Sequence, residues 1–107
     1  EERFIDKDGR RTPYKILKYD GGCIPDDAVV RTMRQGDKFK KFGGGTKNLG
    51  DFFTDRKIPV RLRSIIPVIA SGKNILMVCG VEISDEIKVT DKTQAVRYAV
   101  SADYSKL

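Results

Sequence analysis

Short segments in which apolar and polar residues alternate dominate this chain, and they indicate β-strands. Clusters of Gly, Pro, Asn, Asp and Ser separate the segments, as expected of turns between strands. The predicted strands are residues 3–7, 11–19, 28–33, 67–70, 75–79, 81–83, 87–90 and 93–101. The turn Asp8-Gly9 predicts a hairpin between the first two strands, and the turn from Ser71 to Asn74 predicts a second hairpin.

One segment has helical spacing instead. Leu49, Phe52 and Phe53 recur at positions i, i+3 and i+4, which places the three side chains on one face of a helix. Thr46 or Asn48 could cap the start of this helix, because their side-chain oxygens can accept hydrogen bonds from its first backbone N–H groups. The three apolar side chains are predicted to belong to the core.

Pro59 is expected to end this helix, since proline cannot continue the hydrogen-bond ladder and disfavours helical conformation at the residue before it. A second short turn or helix is expected over residues 60–66, with Arg61 and Arg63 projecting from it. The elements together predict a mostly β fold, α+β in class, in which a β-sandwich or barrel carries one or two short helices.

The length of 107 residues suits a single domain with one core, and 39% of the residues are hydrophobic. No apolar run reaches the roughly 20 residues that a membrane helix needs. The chain begins at Glu1 without a Met or a signal-like segment, which suggests a piece of a longer protein. We therefore expect residues 1–107 to form one domain that does not enter a membrane and that is cut from a longer protein.

The sequence offers little for catalysis or metal binding. It has no histidine, and Cys23 and Cys79 lack metal-ligand spacing, which excludes zinc sites and histidine-based triads. Ser71 and Thr46 lack a base, and the acidic residues are scattered. The cysteines are expected to be reduced, as in cytoplasmic proteins, with a disulfide between them as the alternative. The domain is predicted to bind a partner rather than to catalyse a reaction.

Positive charge is concentrated in one window of the chain. The net charge is +6, from 21 Lys and Arg residues against 15 Asp and Glu residues. Residues 31–63 hold ten of the basic residues and three of the acidic ones, so this window carries +7 and the rest of the chain −1. A localised positive field selects a polyanion, because phosphate contacts release counterions. The alternative is a solvated basic surface that only aids solubility.

Nine basic residues of this window are the candidate RNA contacts. They are Arg31, Arg34, Lys38, Lys40, Lys41, Lys47, Lys57, Arg61 and Arg63. One of the first two arginines could instead pair with Asp37 and fix the turn that follows. Arg56, the tenth basic residue, could pair with Asp51 or Asp55.

Residues 38–46 are predicted to form a flexible, basic loop. The run Gly43-Gly44-Gly45-Thr46-Lys47 lacks the spacing of a nucleotide-binding P-loop. Its backbone amides could still hold one anion at the start of the helix, or the run could be a plain connector. Phe39 and Phe42 interleave with lysines and could stack on bases, although core packing is expected for at least one of them.

The middle of the chain also carries a spaced set of motifs. It reads Arg31-Thr-Met-Arg34-Gln-Gly36-Asp37, then Gly45-Thr-Lys47-Asn-Leu49-Gly-Asp51-Phe52-Phe53, then Lys57-Ile58-Pro59 with Arg63 and Pro67 after it. The hairpin through Ile75 to Gly80 and the segment Val81-Glu82-Ile83-Ser84 continue the pattern. Over roughly residues 28–90 this set resembles the C-terminal domain of tRNA(Ile)-lysidine synthase.

The resemblance implies a β-sandwich with helices, similar to a domain of the phenylalanyl-tRNA synthetase β chain. It implies a parent enzyme that uses ATP, with magnesium, to adenylate the wobble cytidine of isoleucine tRNA and then joins lysine to it. That chemistry belongs to an N-terminal catalytic domain with a Ser-Gly-Gly-x-Asp-Ser loop, which this chain does not contain. The fragment itself is therefore expected to be non-catalytic and to hold no cofactor.

The resemblance also implies the partners. They are isoleucine tRNA, held at its acceptor stem, and the catalytic domain of the parent enzyme, in the bacterial cytoplasm; a homodimer is a further option. The alternative function is a protein-interaction module that docks on the catalytic domain, or on a second copy, through its apolar strands. Salt distinguishes the two functions, because phosphate contacts weaken steeply with ionic strength and apolar contacts do not.

Overall fold

The structure, a computed structural model, describes residues 3–5 and 11–104. The strands are β1 (Arg3–Ile5), β2 (Arg11–Asp20), β3 (Val29–Arg31), β4 (Lys38–Lys40), β5 (Thr46–Asn48), β6 (Val68–Ser71), β7 (Asn74–Val78), β8 (Glu82–Ile83) and β9 (Val96–Ala102). The helices are α1 (Leu49–Asp55) and α2 (Val60–Arg63), with single 3-10 turns at Gly21–Cys23 and Asp85–Ile87. None of the helices in these described ranges has the length and apolar character needed to cross a membrane.

Six strands form the larger sheet, in the order β3-β6-β7-β4-β5, with β8 also paired to β7. The pairs are antiparallel except for β4 and β7, which run parallel with Lys38 opposite Asn74 and Phe39 opposite Ile75. β4 pairs with the first residues of β7 and β8 with its last residues, so the two strands share one edge of β7. β1, β2 and β9 form a second, antiparallel sheet.

The larger sheet is covered on both faces, by the helices on one and by the smaller sheet on the other. The core on the helix side includes Phe39, Leu49, Phe52, Phe53, Leu62, Val68 and Ile75. The core between the two sheets contains Leu17, Leu76, Met77, Ile83 and Ile87. Because successive residues of a strand point to opposite faces, Ile75 and Leu76 of β7 serve different cores. The β4–β5 hairpin lies at the sheet edge, against α1.

The prediction of a mostly β fold with two short helices is confirmed. The first two strands pair antiparallel as predicted, while the Asp8-Gly9 turn lies outside the described residues. The hairpin of β6 and β7 is confirmed, as is helix α1 with its three apolar residues buried. Asn48 occupies the N-cap position of α1 but makes no capping hydrogen bond through its side chain.

The prediction of a flexible loop over residues 38–46 is wrong. These residues form β4, a tight turn and the start of β5. The physical reason is the two-residue period of Lys38, Phe39 and Lys40, which buries the phenylalanine completely and leaves both lysines on the other face of the strand.

The predicted strand at residues 87–90 is also wrong. Ser84 accepts a hydrogen bond from the backbone N–H of Glu86 through its side-chain oxygen, at 3.1 Å. This contact turns the chain into the second 3-10 helix, which buries Ile87. A serine that competes with the strand ladder in this way favours turns.

Helix α1 ends before Pro59, not at it. The N–H of Lys57 bonds the carbonyl of Thr54 and the N–H of Ile58 bonds that of Phe53, each at 3.0 Å, which is the Schellman pattern. Lys57 has a φ of 57°, in the left-handed region that usually selects glycine. Pro59 then precedes the single turn of α2, which is shorter than the predicted 60–66 segment.

The two sheets meet closely at Gly80, which follows β7. Its φ is 73°, and a Cβ added to it would lie 1.9 Å from the carbonyl oxygen of Ala102, at the end of β9. The turn between β6 and β7 offers a contrast. Gly72 there has a φ of 60°, but a Cβ would meet no atom within 4 Å.

We expect Gly80→Ala to destabilise the domain by about 3 kcal/mol or more, because it adds a backbone clash to the strain of a left-handed conformation. The control, Gly72→Ala, should cost only ~1 kcal/mol, since it adds the strain alone. Urea unfolding of both variants measures the difference. Equal losses for the two variants would show that the close approach of Gly80 to β9 does not hold the sheets together.

Candidate nucleic-acid interface

The β4–β5 hairpin presents several of the candidate cations. In its antiparallel register Lys38 lies opposite Asn48, Phe39 opposite Lys47, and Lys40 opposite Thr46. Directly opposite residues share a face of the sheet, so Lys38 and Lys40 lie on the face away from the buried Phe39. Lys47 shares the side of Phe39, but it lies on the edge strand, where its ammonium remains partly exposed.

Lys47 links the hairpin to the end of α1. Its Nζ forms an ion pair with Asp55, with the two side chains 34% and 52% exposed. The hydrogen bond from Lys47 is the largest cause that lowers the pKa of Asp55, and the charge of Lys41 lowers it further. Lys47 is therefore the direct partner of Asp55, which lies two residues before Lys57, and Lys41 acts on the same carboxylate through its charge. Exposed ion pairs of this kind stabilise a fold little, so both ammonium groups stay available to a phosphate.

A shallow groove of about 410 Å³ runs between β5 and α1. Lys38 and Lys47 line it together with Asp51 and Asp55. Lys38 donates a hydrogen bond to the side-chain oxygen of Asn48 on the neighbouring strand. The floor of the groove is thus of mixed charge, and the lysines form its positive rim.

Arg31 is held inside the fold. Its two terminal nitrogens bond both carboxylate oxygens of Asp37, at 2.9 and 2.8 Å, and the carbonyls of Thr32 and Gly72, at 2.9 and 2.8 Å. Its side chain is 10% exposed and that of Asp37 1%. The alternative that one arginine pairs with Asp37 is confirmed. This pair ties β3, the turn before β4 and the β6–β7 turn into one unit.

The pKa of Asp37 is lowered overall. Burial works in the opposite direction and is the largest single influence, but hydrogen bonds from Arg31 and from the backbone N–H of Arg34, with the charges of both arginines, outweigh it. The N–H of Arg34 lies 2.7 Å from the carboxylate. Gly36, with a φ of 88°, completes the tight turn, which leaves the side chain of Arg34 exposed at the start of β4.

The remaining candidates lie on or beside α2. Arg63 is half-buried: it donates to the carbonyl of Ile58 at 3.0 Å and lies 5.9 Å from the ring centre of Phe53. Arg61 and Lys57 are exposed. The expectation that both Arg61 and Arg63 project into solvent is therefore met by Arg61 alone.

The ion-pair partner of Arg56 is not the one predicted from the sequence. Arg56 pairs with Glu82 on β8 rather than with Asp51 or Asp55, and its guanidinium lies 5.4 Å from the ring centre of Phe52. The pairing of Arg56 therefore fixes α1 to β8. Sequence spacing favoured the nearby aspartates and gave no signal for a partner 26 residues away.

Sequence reasoning missed Lys73. It lies in the β6–β7 turn, and its carbonyl accepts the N–H of Lys38 at 2.8 Å. A Cβ added to Gly36 would lie 2.9 Å from its ammonium nitrogen, so this ammonium lies over the turn that presents Arg34. Lys73 is outside the basic window of residues 31–63, and only the parallel pairing of β4 with β7 brings it to this surface.

Phe39 and Phe42 have separate roles. Phe39 is fully buried, 4.5 Å from the ring centre of Phe52, which confirms core packing for one of the two. Phe42 is 49% exposed in the β4–β5 turn. The glycine run beside it leads into β5 rather than into the helix start, so the predicted anion site at a helix N-terminus lacks its helix.

In the described residues, no three or more Cys, Asp or Glu side chains are grouped so that they could hold a metal ion. Seven basic residues on neighbouring elements are called here the cation surface: Arg34, Lys38, Lys40, Lys41, Lys47, Lys57 and Lys73. Its members lie along the β4–β5 hairpin, the two turns at the start of β4 and the end of α1.

Comparison with known proteins identifies the family. A family model described as the TilS substrate C-terminal domain matches residues 28–100. The chain belongs to the TilS C-terminal domain family. A crystal structure of a TilS C-terminal domain superposes with a TM-score of 0.62 and 26% identity, over 94% of this chain and 78% of that one. The fold of this family is therefore the fold of the chain.

Relatives in sequence are bacterial proteins named tRNA(Ile)-lysidine synthase. That of Caldanaerobacter subterraneus subsp. tengcongensis is 41% identical over 83 residues, which is 77% of this chain and 17% of the relative. That of Clostridium tetani is 32% identical over 93 residues, 86% of this chain and 20% of the relative. The chain thus spans about a fifth of the length of these relatives.

The Arg31–Asp37 pair gives a pH-dependent prediction. We expect Asp37→Asn to cost about 3 kcal/mol at pH 7, because it leaves a buried guanidinium without its counter-charge. Since the pKa of Asp37 is lower in the folded state, its contribution is complete above the unfolded pKa and is lost as the pH falls through the folded one. Urea unfolding between pH 7 and pH 2 measures the difference in the free energy of unfolding between wild type and variant. This difference should shrink only in acid. A difference that stays constant across this pH range would contradict stabilisation by the charged carboxylate of Asp37.

Proposed function

We propose that this domain binds tRNA as the C-terminal part of a tRNA(Ile)-lysidine synthase. In this proposal it holds the acceptor stem of isoleucine tRNA, while ATP and magnesium act in a separate N-terminal catalytic domain. The domain itself carries out no chemistry and works in the cytoplasm. Family membership supports the enzyme, and the cation surface supports the RNA contact.

The observation that carries the proposal is the arrangement of the lysines. Lys47 pairs with Asp55 in a groove that Lys38 also lines, and Lys41 belongs to the same hairpin. Lys57 follows Asp55 by two residues. Ammonium groups on a sheet edge and at a helix end suit a phosphate backbone, which runs past a surface rather than into a pocket.

We expect the domain to recognise the sugar-phosphate backbone and the shape of the RNA stem rather than its base sequence. The deep, narrow major groove of an A-form stem hides the base edges from side chains, so proteins read its phosphates and 2′-hydroxyls. Of the nine predicted contacts, Lys38, Lys40, Lys41 and Lys57 fit this use most directly. Arg31 and Arg63 would contribute mainly by positioning, since both donate hydrogen bonds within the fold.

One observation favours the alternative of a protein-docking module. The outer face of the β2–β9 pair exposes Ile16, Val96, Tyr98 and Val100, at 45–63%. Cross-strand pairing places Val100 opposite Ile16 and Tyr98 opposite Lys18, so this is one continuous stripe. The stripe lies on the smaller sheet, whereas the cation surface lies on the larger one. A protein bound to the stripe would therefore not cover the cation surface.

Two doubly substituted variants with the same net charge test the proposal. Lys41→Glu with Lys57→Glu should weaken tRNA binding at least tenfold and lower the slope of log affinity against log salt by roughly 1.5 to 2, since two phosphate contacts are lost. The control, Lys92→Glu with Arg97→Glu, changes exposed cations outside the cation surface and should bind nearly as wild type. Filter binding across a salt series measures both quantities.

The comparison separates the position of the charge from its amount. Equal weakening by the two variants would show that tRNA senses only net charge. Binding that is unchanged in both variants and insensitive to salt would favour the apolar docking surface instead. Thermal unfolding of both variants verifies that they remain folded.

A further inference from the structure

A second cleft, lined largely by apolar side chains, lies beside the β4–β5 turn. It follows β2 from Lys15 to Lys18 and faces residues 81–83, with a volume of about 460 Å³. Phe42, Lys88 and Val89 complete its lining. The cleft shares Ile16 with the apolar stripe of the smaller sheet and none of its lining residues with the cation surface. Its volume is in the usual range for a small bound group.

The cleft lies along an edge of β2 for which the described residues supply no strand partner. β1 pairs with residues 11–13 and β9 with residues 14–20, on the opposite edge. Along residues 15–18, the edge of β2 on the β1 side is therefore unpaired among the described residues. The segment that follows β7 approaches this edge, and Lys15 donates a hydrogen bond to the carbonyl of Val81 at 2.8 Å.

Phe42 is an exposed aromatic ring beside this cleft. It sits in a tight turn in which the N–H of Gly44 bonds the carbonyl of Lys41 at 3.2 Å, and Gly43 has the positive φ of 89° that a type II turn requires. A Cβ on Gly43 would meet no atom within 4 Å, so open space surrounds the turn. Half of the Phe42 side chain remains in water, although burial would be favourable.

The charges around the cleft are mainly positive. Lys15, Lys18 and Lys88 line it, against the single carboxylate of Glu82. Glu82 is already paired with Arg56. Lys88 forms an ion pair with Asp85 at 3.0 Å, and Lys15 donates to the carbonyl of Val81. The exposed Lys18 is therefore the best-placed contact for an anion.

We infer that this cleft binds an unpaired nucleotide of RNA, with the base against Phe42 and the phosphate near Lys18. An aromatic ring, an apolar floor and a positive rim are the combination that proteins use for single-stranded nucleic acid. The cleft adjoins Lys40 and Lys41 of the cation surface through the same hairpin. The inference rests on the proposed RNA binding and adds a contact to the unpaired part of the RNA.

An extended peptide added to β2, along the edge that is unpaired within residues 3–5 and 11–104, is the competing occupant, because an unpaired strand edge is a common peptide site. The positive rim and the exposed ring favour the nucleotide. A peptide strand needs the backbone groups of β2 and makes no particular use of an aromatic ring on the neighbouring hairpin.

The test compares two RNA hairpins with the same stem, one blunt and one with a short single-stranded 3′ tail that contains 2-aminopurine. We expect the tailed hairpin to bind more tightly and its fluorescence to be quenched on binding. Phe42→Leu should weaken binding of the tailed hairpin about 5-fold or more and abolish the quenching, since base stacking on an aromatic ring contributes roughly 5- to 150-fold. It should leave the blunt hairpin unaffected.

Two control variants accompany it. Phe42→Tyr keeps the ring and should retain both the affinity and the quenching, whereas Val30→Ala removes exposed apolar surface on β3, at the opposite edge of the larger sheet, and should change neither. Equal binding of tailed and blunt hairpins by the wild type would overturn the inference while leaving the proposed function intact. If neither hairpin bound, the proposed function would fail as well.

Discussion

The burial of Phe39 is the constraint on which the position of the cation surface depends. Its ring is fully enclosed, in contact distance of Phe52 on α1, and burial of such a ring stabilises a fold by up to ~3 kcal/mol. Once Phe39 points into the core, the two-residue period of a strand places Lys38 and Lys40 on the other face. The same burial fixes the parallel pairing of β4 with β7, and with it the position of the whole hairpin.

The basic residues of the window divide into those that stabilise the fold and those whose charge faces the solvent. Arg31 holds Asp37 inside the fold, and Arg56 and Arg63 pack on the rings of Phe52 and Phe53. Guanidinium groups suit this work because they combine several directed hydrogen bonds with stacking on aromatic faces. On the β4–β5 hairpin, by contrast, every basic residue is a lysine, whose mobile ammonium adapts to phosphates at varying distances. The total charge of the window therefore overstates the charge that a ligand meets.

Local patterns predicted much of the fold. The period of Leu49, Phe52 and Phe53 identified α1, and alternation identified most strands, because burial of one face leaves a direct trace in the sequence. The β4–β5 hairpin was missed because three adjacent glycines suggested flexibility, while they serve a tight turn between strands. The end of α1 was placed at Pro59, since a left-handed lysine leaves no signal of the kind that glycine gives.

The candidate site could be predicted only as a region. Charge counting indicated residues 31–63, and sequence spacing suggested that Arg31 or Arg34 pairs with Asp37. Which of the two does so depends on the β6–β7 turn, whose Gly72 carbonyl accepts from Arg31. The inclusion of Lys73 and the partner of Arg56 depend on pairings between strands that are distant in sequence, and no local pattern encodes them. The phenylalanyl-tRNA synthetase likeness and the individual RNA contacts stay predictions.

The central claim is that RNA meets the larger sheet at its β4–β5 edge. The most direct measurement is a titration of the isotopically labelled chain with an RNA hairpin, followed by the NMR shifts of its backbone amides. We expect the largest salt-sensitive shifts on residues 38–48 and 55–61, and no shifts on residues 96–100 of β9. Shifts concentrated on β9 and the outer face of β2, and indifferent to salt, would contradict it.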